Sequence, residues 1–445
     1  MAALPLRLLT PLLVALTATA AAAQPLQPIV QSADEALAQD AAEYARRQGI
    51  PLDEAVHRLR AQEGTVAETD RLAALYAKRL AGIAIEDKPD YRIVVLLAGS
   101  KPVPGEAVLA GDMLVPIVFR TGAPATRAKI LKAIGKKGDA IRAAFPEARG
   151  MGADPRTGEL VVMLGDGDRS ADDLAGVASR ISDIAGVPAR VELIERPEAN
   201  TAVEGGARVT GNDAVTGRLS YCTIGFVVTD GRRNGIVTAA HCPDLLTYSD
   251  PDGTTEELPF IGQWGWSFQD VQVNAAATDA PLFYADAKKS LARVPAAQRA
   301  RASTRAGDFV CHRGERTGYS CGEVEFTDYA PPGTLCGGPC APDWVTVRGA
   351  DCGGGDSGGP VFSGDTAFGI MKGASWDRNG KCGFYYYMSL DYLPKGWTLV
   401  TADSVVLPGT DRSRSPVRPG DEPAAPMGTA RGAVEGAQNL PGASK

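Results

Sequence analysis

The sequence of 445 residues contains only three histidines, and its eight cysteines are confined to positions 222 to 382. It has no concentrated run of lysine and arginine, and its formal net charge is -7. A nucleic-acid partner is therefore not expected, because phosphate binding needs a basic surface. The sequence has no nucleotide-binding loop, cofactor motif or internal repeat, so we predict neither a cofactor nor a metal ion.

The first 23 residues have the pattern of a secretory signal peptide. Arg7 gives a weakly positive start, Leu8 to Ala18 are apolar, and three alanines precede Gln24. This apolar stretch is shorter than the ~20 residues that cross a bilayer, and no other segment is long enough. We therefore expect a secreted or periplasmic protein without a membrane anchor. An even number of cysteines in an exported protein indicates disulfides rather than metal ligands.

The cysteine-free residues 24–200 are predicted to form a separate unit. Residues 24–89 carry apolar side chains at helical spacing, which predicts helices over 34–48, 52–62 and 66–80. Residues 90–200 alternate between strand and helix patterns, as is typical of an α+β unit. The predicted strands cover 91–97, 114–119, 158–164 and 190–194, and the predicted helices cover 125–145 and 171–185.

The remainder of the chain changes in character. Residues 198–217 are rich in small and polar residues, which indicates a linker and cleavage zone. Residues 201–403 contain short β-rich runs separated by glycine, proline, aspartate and asparagine, which predicts an all-β barrel or sandwich. Residues 404–445 have almost no large apolar residue after Leu407, so we predict a disordered tail.

One serine lies in a glycine-rich stretch, Gly355-Asp-Ser-Gly-Gly-Pro360. A serine hydroxyl becomes a nucleophile when a base takes its proton and amide groups stabilise the resulting oxyanion. His241 follows an apolar strand pattern and is the candidate base. Asp270, at the start of an alternating run, is the candidate for the group that orients the imidazole. Other carboxylates lead no such run: Asp250, Asp252, Asp279 and Asp286.

The two remaining histidines lack such a context. His57 falls on a predicted helix, with no serine or cysteine pattern nearby, and is predicted to be a surface or packing residue. His312 follows Cys311 and is predicted to be a loop residue.

Two motifs together resemble the chymotrypsin-like serine proteases: Thr238-Ala-Ala-His-Cys242 and Gly355-Asp-Ser-Gly-Gly-Pro360. Cys222-Thr-Ile-Gly-Phe-Val-Val228 and Val310 to Gly322 further resemble the bacterial α-lytic protease and streptogrisin branch. The likeness covers about residues 209 to 395. It implies an all-β catalytic domain of two six-stranded antiparallel β-barrels, preceded by an α+β propeptide.

The resemblance also implies the roles of the site residues. Ser357 would be the nucleophile, His241 the general base and then the general acid, and Asp270 its orienting partner. The backbone amides of Gly355 and Ser357 would form the oxyanion hole, where losing one donor costs about 3 kcal/mol of transition-state stabilisation in known cases. The expected substrates are polypeptides, and we expect a monomer.

The same resemblance implies the cysteine pairs. Cys222–Cys242 would tie the histidine loop to the preceding strand, Cys311–Cys321 would close a hairpin, and Cys352–Cys382 would fix the serine loop to the pocket wall. A local bridge between Cys336 and Cys340 is the first choice for the remaining pair. Each disulfide of this kind typically stabilises a fold by about 3 kcal/mol.

The primary pocket departs from the family pattern. In the family a serine that hydrogen-bonds the catalytic aspartate follows the apolar pair, but here Lys372 follows Ile370 and Met371. Relatives often have two glycines next, whereas this chain has Gly373 and Ala374, whose methyl group would crowd a large side chain. Gly354 and Asp351 complete the predicted pocket, where a preference for small apolar residues is favoured over one for basic residues.

Activation is predicted to differ from that of trypsin-like zymogens. No Ile-Val-Gly-Gly start lies near Ala199 to Val209, so Asp356 must find a donor other than a new N-terminus. We expect the prosegment to assist the folding of a slow, non-local β topology before its removal by self-cleavage.

The sequence also bears on two other function classes. A catalytically silent barrel that acts as a binding module is the alternative that the Lys372 departure supports. An esterase of the α/β-hydrolase fold is excluded, because the serine lacks the Gly-x-Ser-x-Gly elbow and its acid would follow the serine.

Overall fold

The computed structural model describes residues 28–165, 171–194, 199–200, 207–212, 217, 219–249, 255–264, 269–276, 281–332, 340–377 and 380–404. The predicted signal peptide, almost all of the predicted tail and Cys336 lie outside these ranges. Below, residues 28–194 are called the N-terminal segment and residues 207–404 the β domain.

Five α-helices lie in the described part of the N-terminal segment. The first begins after Ser32, which forms a reciprocal capping box with Glu35, and ends at Gly49 in the left-handed conformation. The helix predicted over 66–80 ends at Leu75, because the apolar run from Leu80 pairs as a strand. None of the described helices is long and apolar enough to cross a membrane. The helices are α1 (Ala33–Gln48), α2 (Leu52–Gly64), α3 (Val66–Leu75), α4 (Arg127–Ala144) and α5 (Ala171–Ala185).

The strands of the N-terminal segment form two small sheets. One has the order β2-β3-β5-β4, and in the other β6, β7 and β8 are neighbours. Four of the strands, β1, β2, β4 and β6, were not predicted from the sequence; β4 forms an antiparallel hairpin with β5 around Gly111, whose φ is +64°. The strands are β1 (Ile29–Val30), β2 (Leu80–Glu86), β3 (Arg92–Ala98), β4 (Glu106–Ala110), β5 (Met113–Ala123), β6 (Ala148–Ala153), β7 (Leu160–Gly165) and β8 (Ala189–Ile194).

The β domain consists of short strands with a few 3-10 turns, as the all-β prediction expects. A two-residue strand, β9 (Ala199–Asn200), precedes it. Its own strands are β10 (Arg208–Asn212), β11 (Leu219–Thr223), β12 (Val227–Thr229), β13 (Asn234–Ala239), β14 (Leu246–Ser249), β15 (Thr255–Leu258), β16 (Phe260–Trp264), β17 (Val271–Ala275), β18 (Phe283–Tyr284), β19 (Leu291–Arg293), β20 (Ala297–Gln298), β21 (Phe309–Gly314), β22 (Gly318–Val324), β23 (Tyr329–Ala330), β24 (Val345–Arg348), β25 (Pro360–Ser363), β26 (Thr366–Trp376), β27 (Cys382–Ser389) and β28 (Thr398–Leu399).

Six of these strands close into a barrel. The pairings run β26-β25-β21-β22-β24-β27, and β27 pairs again with β26, which closes the ring. The earlier strands form a five-stranded sheet, β16-β17-β13-β12-β28, and a four-stranded sheet, β11-β10-β14-β15. One closed barrel is therefore present, whereas no pairing among the described residues closes a second one.

The N-terminal segment packs directly on the β domain. β1 runs parallel to β19, and β6 runs antiparallel to β23. Tyr44 of α1 and Leu59 of α2 share a hydrophobic core with Phe309 and Phe362 of the β domain. A buried ion pair crosses the same interface: both guanidinium NH groups of Arg293 donate to Asp40 of α1, at 2.9 and 3.0 Å. The two parts of the chain thus bury one continuous core.

Candidate active site

Two neighbouring strands bring His241 and Asp270 together. β13 ends at Ala239 and β17 begins at Val271, and these two residues pair in the antiparallel register. His241 therefore leaves the same end of the sheet at which Asp270 enters it. Asp270 has a φ of +50°, a left-handed conformation that aspartate tolerates better than most residues.

The Asp270 carboxylate holds His241 at two points. Its Oδ1 accepts the His241 backbone N–H at 2.9 Å, and its Oδ2 lies 2.8 Å from His241 Nδ1. Both side chains are largely buried, with 7% of His241 and 1% of Asp270 exposed. An anionic acceptor at Nδ1 favours the tautomer that carries the proton there, and in that tautomer Nε2 can act as a base.

The serine loop, residues 352–359, is bound to the strand that carries Cys222. The backbone N–H of Thr223 donates to the Ser357 carbonyl at 2.7 Å, and its hydroxyl donates to the Gly355 carbonyl at 3.1 Å. Two loop glycines are required by geometry. Gly355 has a φ of +128°, and a Cβ on Gly358 would lie 2.2 Å from the Thr223 carbonyl oxygen. The Ser357 side chain is buried, and its hydroxyl donates to the Lys372 carbonyl at 3.1 Å.

Asp356, next to the serine, accepts three backbone N–H groups and one hydroxyl group. Its Oδ1 accepts the N–H groups of Arg316 and Thr317, at 3.1 and 3.2 Å. Its Oδ2 accepts the Thr317 hydroxyl and the Gly353 N–H, each at 2.8 Å. The turn between β21 and β22 thus supplies the partners that the sequence left open. The approach is close, because a Cβ on Gly314 would lie 2.0 Å from Asp356 Oδ1.

Lys372, the departure from the family pattern, ends at the same carboxylate. Its Nζ lies 2.8 Å from Asp270 Oδ2, and only 2% of the side chain is exposed. Burial lowers the pKa of Lys372, and the charge of Asp270 opposes that shift. Burial also opposes ionisation of Asp270, but the charges of Lys372 and His241 outweigh it and hold the pKa of Asp270 below its ordinary value. The aspartate is therefore supported by a cation.

The predicted pocket residues fall into two groups. Met371, Gly373 and Ala374 lie on β26 and are buried, so they can form a wall. Gly354 and Asp351 are exposed. The backbone N–H of Asp351 donates a hydrogen bond to the Ser320 hydroxyl at 2.8 Å. Asp351, one of the predicted pocket residues, thus lies at the surface.

The three disulfides within the described residues surround this site: Cys222–Cys242, Cys311–Cys321 and Cys352–Cys382. They are the pairs that the resemblance implied. Cys340 is also disulfide-bonded, and its predicted partner Cys336 lies outside the described residues.

The other histidines are placed differently from each other. His57 is exposed on α2, 3.6 Å from Asp112, in keeping with a surface residue. The prediction of a loop for His312 is wrong, because it is a buried residue of β21. Its Nε2 lies 2.8 Å from the Asp351 carbonyl oxygen, and its ring packs edge-on against Tyr385. Burial lowers the pKa of His312. The apolar run Phe309 to Cys311 could have indicated a strand that continues through His312.

Comparison with known proteins gives two relatives from Streptomyces griseus. Streptogrisin-C is 31% identical over 222 residues, which cover 47% of this chain and 43% of that protein. Streptogrisin-D is 28% identical over 187 residues, which cover 40% of this chain and 44% of that protein. The chain thus spans less than half the length of these relatives. No family model matches the chain.

Solved structures of bacterial proteases also align with the chain. Thermobifida fusca protease A is 24% identical, with a TM-score of 0.34 over 45% of this chain and 98% of that protein. A Nocardiopsis protease is 22% identical, with a TM-score of 0.32 over 42% of this chain and 92% of that protein. Over a little less than half of its length, the chain is similar in sequence to streptogrisins and thus to the chymotrypsin-like serine proteases of bacteria.

Proposed function

We propose that this chain is an exported serine endopeptidase that cleaves polypeptides through an acyl-enzyme. The observation that carries the proposal is the double contact of Asp270 with His241, through the backbone N–H and through Nδ1. Such a contact fixes both the position and the tautomer of the base before the substrate arrives. The similarity to the streptogrisins supports the same reaction class.

In the proposed reaction, His241 accepts the proton of the Ser357 hydroxyl while the oxygen attacks the peptide carbonyl. The amides of Gly355 and Ser357 stabilise the oxyanion of the tetrahedral intermediate. His241 then donates the proton to the leaving amine, which departs and leaves an acyl-enzyme on Ser357. Water, activated by His241, hydrolyses this ester and restores the serine.

A serine-directed phosphonate tests the proposal. The secreted protein is expected to be labelled once per chain and to cleave peptides, whereas the Ser357→Ala variant should show neither property. The adjacent variant Ser363→Ala, on β25, is the matched control and should keep both properties. Absence of labelling in the processed wild-type protein would instead support the binding-module alternative.

The substrate preference is proposed to be for small apolar residues before the scissile bond. The wall of β26 contains the methyl group of Ala374 and the buried Met371, while Asp351 is exposed. A pocket without a carboxylate has no counter-charge for arginine. Peptides that differ only in alanine or arginine at this position distinguish the two preferences.

Residues 24–200 are proposed to act as a prosegment that assists folding and blocks the site until cleavage. Ala199 and Asn200 pair antiparallel with Ala374 and Gly373 of β26. Extended peptides bind to strand edges in this way, so the end of the prosegment is suited to occupy the position of a substrate. Expression of residues 205–445 alone is expected to give inactive protein that residues 24–200 rescue in trans. Full activity without residues 24–200 would contradict the role in folding.

A further inference from the structure

The carboxylate of Asp270 has three donors, and one of them is a cation. His241 supplies its backbone N–H to Oδ1 and its Nδ1 to Oδ2, while Lys372 Nζ approaches Oδ2 at 2.8 Å. Where the related proteases place a hydroxyl, this chain has an ammonium group. A hydroxyl donates a hydrogen bond without charge, but an ammonium group also changes the energy of the anion.

The fold leaves Lys372 little freedom. It lies in β26 at a bulge, where the register with β27 shifts between Met371 and Gly373. Trp344 covers the ammonium group, with Nζ 5.1 Å from the ring centroid, a cation–π geometry. Because both Lys372 and Asp270 are almost completely buried, removing one of them leaves an uncompensated charge on the other.

The electrostatic setting of Asp270 is simple. Within the described residues, the groups whose charges act on it are Lys372 from β26 and His241 from the end of β13. Burial alone would favour the neutral carboxyl group. A neutral Asp270 would no longer offer His241 Nδ1 an anionic acceptor, and the imidazole would lose its orienting partner.

We propose that Lys372 is a positioning residue that keeps Asp270 ionised and directed at His241 in acidic media, so that the enzyme works at lower pH than it would with a neutral residue there. This inference rests on the proposed serine protease function. Lys372 does not touch the substrate carbonyl through its ammonium group; it acts through Asp270. Its replacement is therefore expected to change the acidic limb of the pH profile of kcat/KM.

The test compares Lys372→Met, which removes the charge at similar length, with Lys372→Arg, which keeps the charge. The wild type and both variants are expressed as full chains that mature by self-cleavage. The profile of kcat/KM is measured from pH 3.5 to 8 with one peptide substrate. The acidic limb of Lys372→Met is expected to move to higher pH by about one unit, in line with the loss of one nearby opposite charge. Lys372→Arg should retain the wild-type limb.

A second variant and a second readout keep the outcomes distinct. Lys372→Ser restores a hydroxyl and should show the same upward shift. Because a higher pH favours the ionised form of Asp270, the Met and Ser variants should react with the phosphonate faster, relative to the wild type, at pH 8 than at acidic pH. An unmoved acidic limb, or failure of both variants to react at pH 8, would overturn the inference. Failure of the wild-type protein to react at any pH would instead overturn the proposed function.

Discussion

Within the described residues, Asp356 accepts four hydrogen bonds, which come from one turn and its own loop. Thr317 alone supplies two of them, through its N–H and its hydroxyl. Because Asp356 precedes Ser357, these bonds define the path of the serine loop. When a buried carboxylate loses one hydrogen-bond donor, part of its desolvation penalty is no longer compensated, and the folded state is destabilised.

Thr317→Val is therefore expected to destabilise the folded chain by about 1–3 kcal/mol and to slow phosphonate labelling of Ser357. The valine has nearly the same shape but lacks the hydroxyl that Asp356 Oδ2 accepts. Thr317→Ser keeps the hydroxyl and should remain close to wild type. Urea unfolding and labelling rates measure the two effects, and equal behaviour of Val and Ser would show that the hydroxyl is unimportant.

Single residues differ in how far the sequence alone could place them. His241 and Asp270 could be predicted to meet because each flanks a strand with a clear apolar pattern. Most donors of Asp356 could not, since three of the four come from Arg316 and Thr317 in a turn about 40 residues away. The contact of Lys372 with Asp270 could not be predicted either. The sequence showed that lysine replaces the expected serine, but not that the lysine ammonium group would reach Asp270.

At the scale of elements, α1 is fixed to the β domain by a buried charge. Asp40 accepts both NH groups of Arg293, the Tyr319 hydroxyl at 2.7 Å and the Gly364 N–H at 2.6 Å. All four donors belong to the β domain. The side chains of Asp40 and Arg293 are 0% and 1% exposed. Breaking a buried ion pair on one side costs about 3–5 kcal/mol, because the other charge stays buried.

Asp40→Ala in the Ser357→Ala chain is accordingly expected to lower the free energy of unfolding by about 3–5 kcal/mol. Asp34→Ala is the matched control on the same helix. Asp34 is exposed and its ion pair with Arg60 is at 3.3 Å, so its loss should cost less than about 1 kcal/mol. Urea unfolding of both variants measures the difference. Similar losses would mean that α1 is not anchored through Asp40.

Helices and strands with a strong period were predicted within a few residues, and the exceptions share a cause. Leu75 to Leu80 continues a helical pattern, but the chain leaves the helix because Leu80 pairs with Leu97 of β3. β4 was missed because it is only five residues long and most of it is exposed, so its pattern is too short to predict a strand. β9 and β23 have two residues each and exist only through partners far along the chain. Long-range strand pairing thus determines these elements, which the local sequence pattern does not reveal.

At the scale of the whole molecule, the contact between the N-terminal segment and the β domain contains acidic groups that repel each other. The Gln48 side chain of α1 donates to Glu323 at 2.5 Å and to Asp87 at 3.2 Å. Burial, followed by the negative charge of Asp87, raises the pKa of Glu323 above its ordinary value. Protonation of Glu323 therefore favours the assembled chain.

The sign of the pH dependence follows from this direction. A carboxyl group with a raised pKa in the folded chain holds its proton more tightly there than in the unfolded chain. The stability that it contributes is fully present at acidic pH and is lost as the pH rises through the raised pKa. For Glu323, the loss falls above the ordinary pKa of a glutamate, on the way to neutral pH.

Glu323→Gln removes this titration while it keeps the size of the side chain. In the Ser357→Ala chain, where self-cleavage cannot occur, the variant is expected to gain stability relative to its parent as the pH rises from 4 to 7. Urea unfolding at both pH values measures the gain. Glu256→Gln, an exposed position on β15, should show no such change. If the difference between Glu323→Gln and its parent were the same at pH 4 and pH 7, Glu323 would not weaken the contact of the N-terminal segment at neutral pH. With the expected result, the contact between the N-terminal segment and the β domain is weaker in neutral than in acidic media, because Glu323 is then charged beside Asp87.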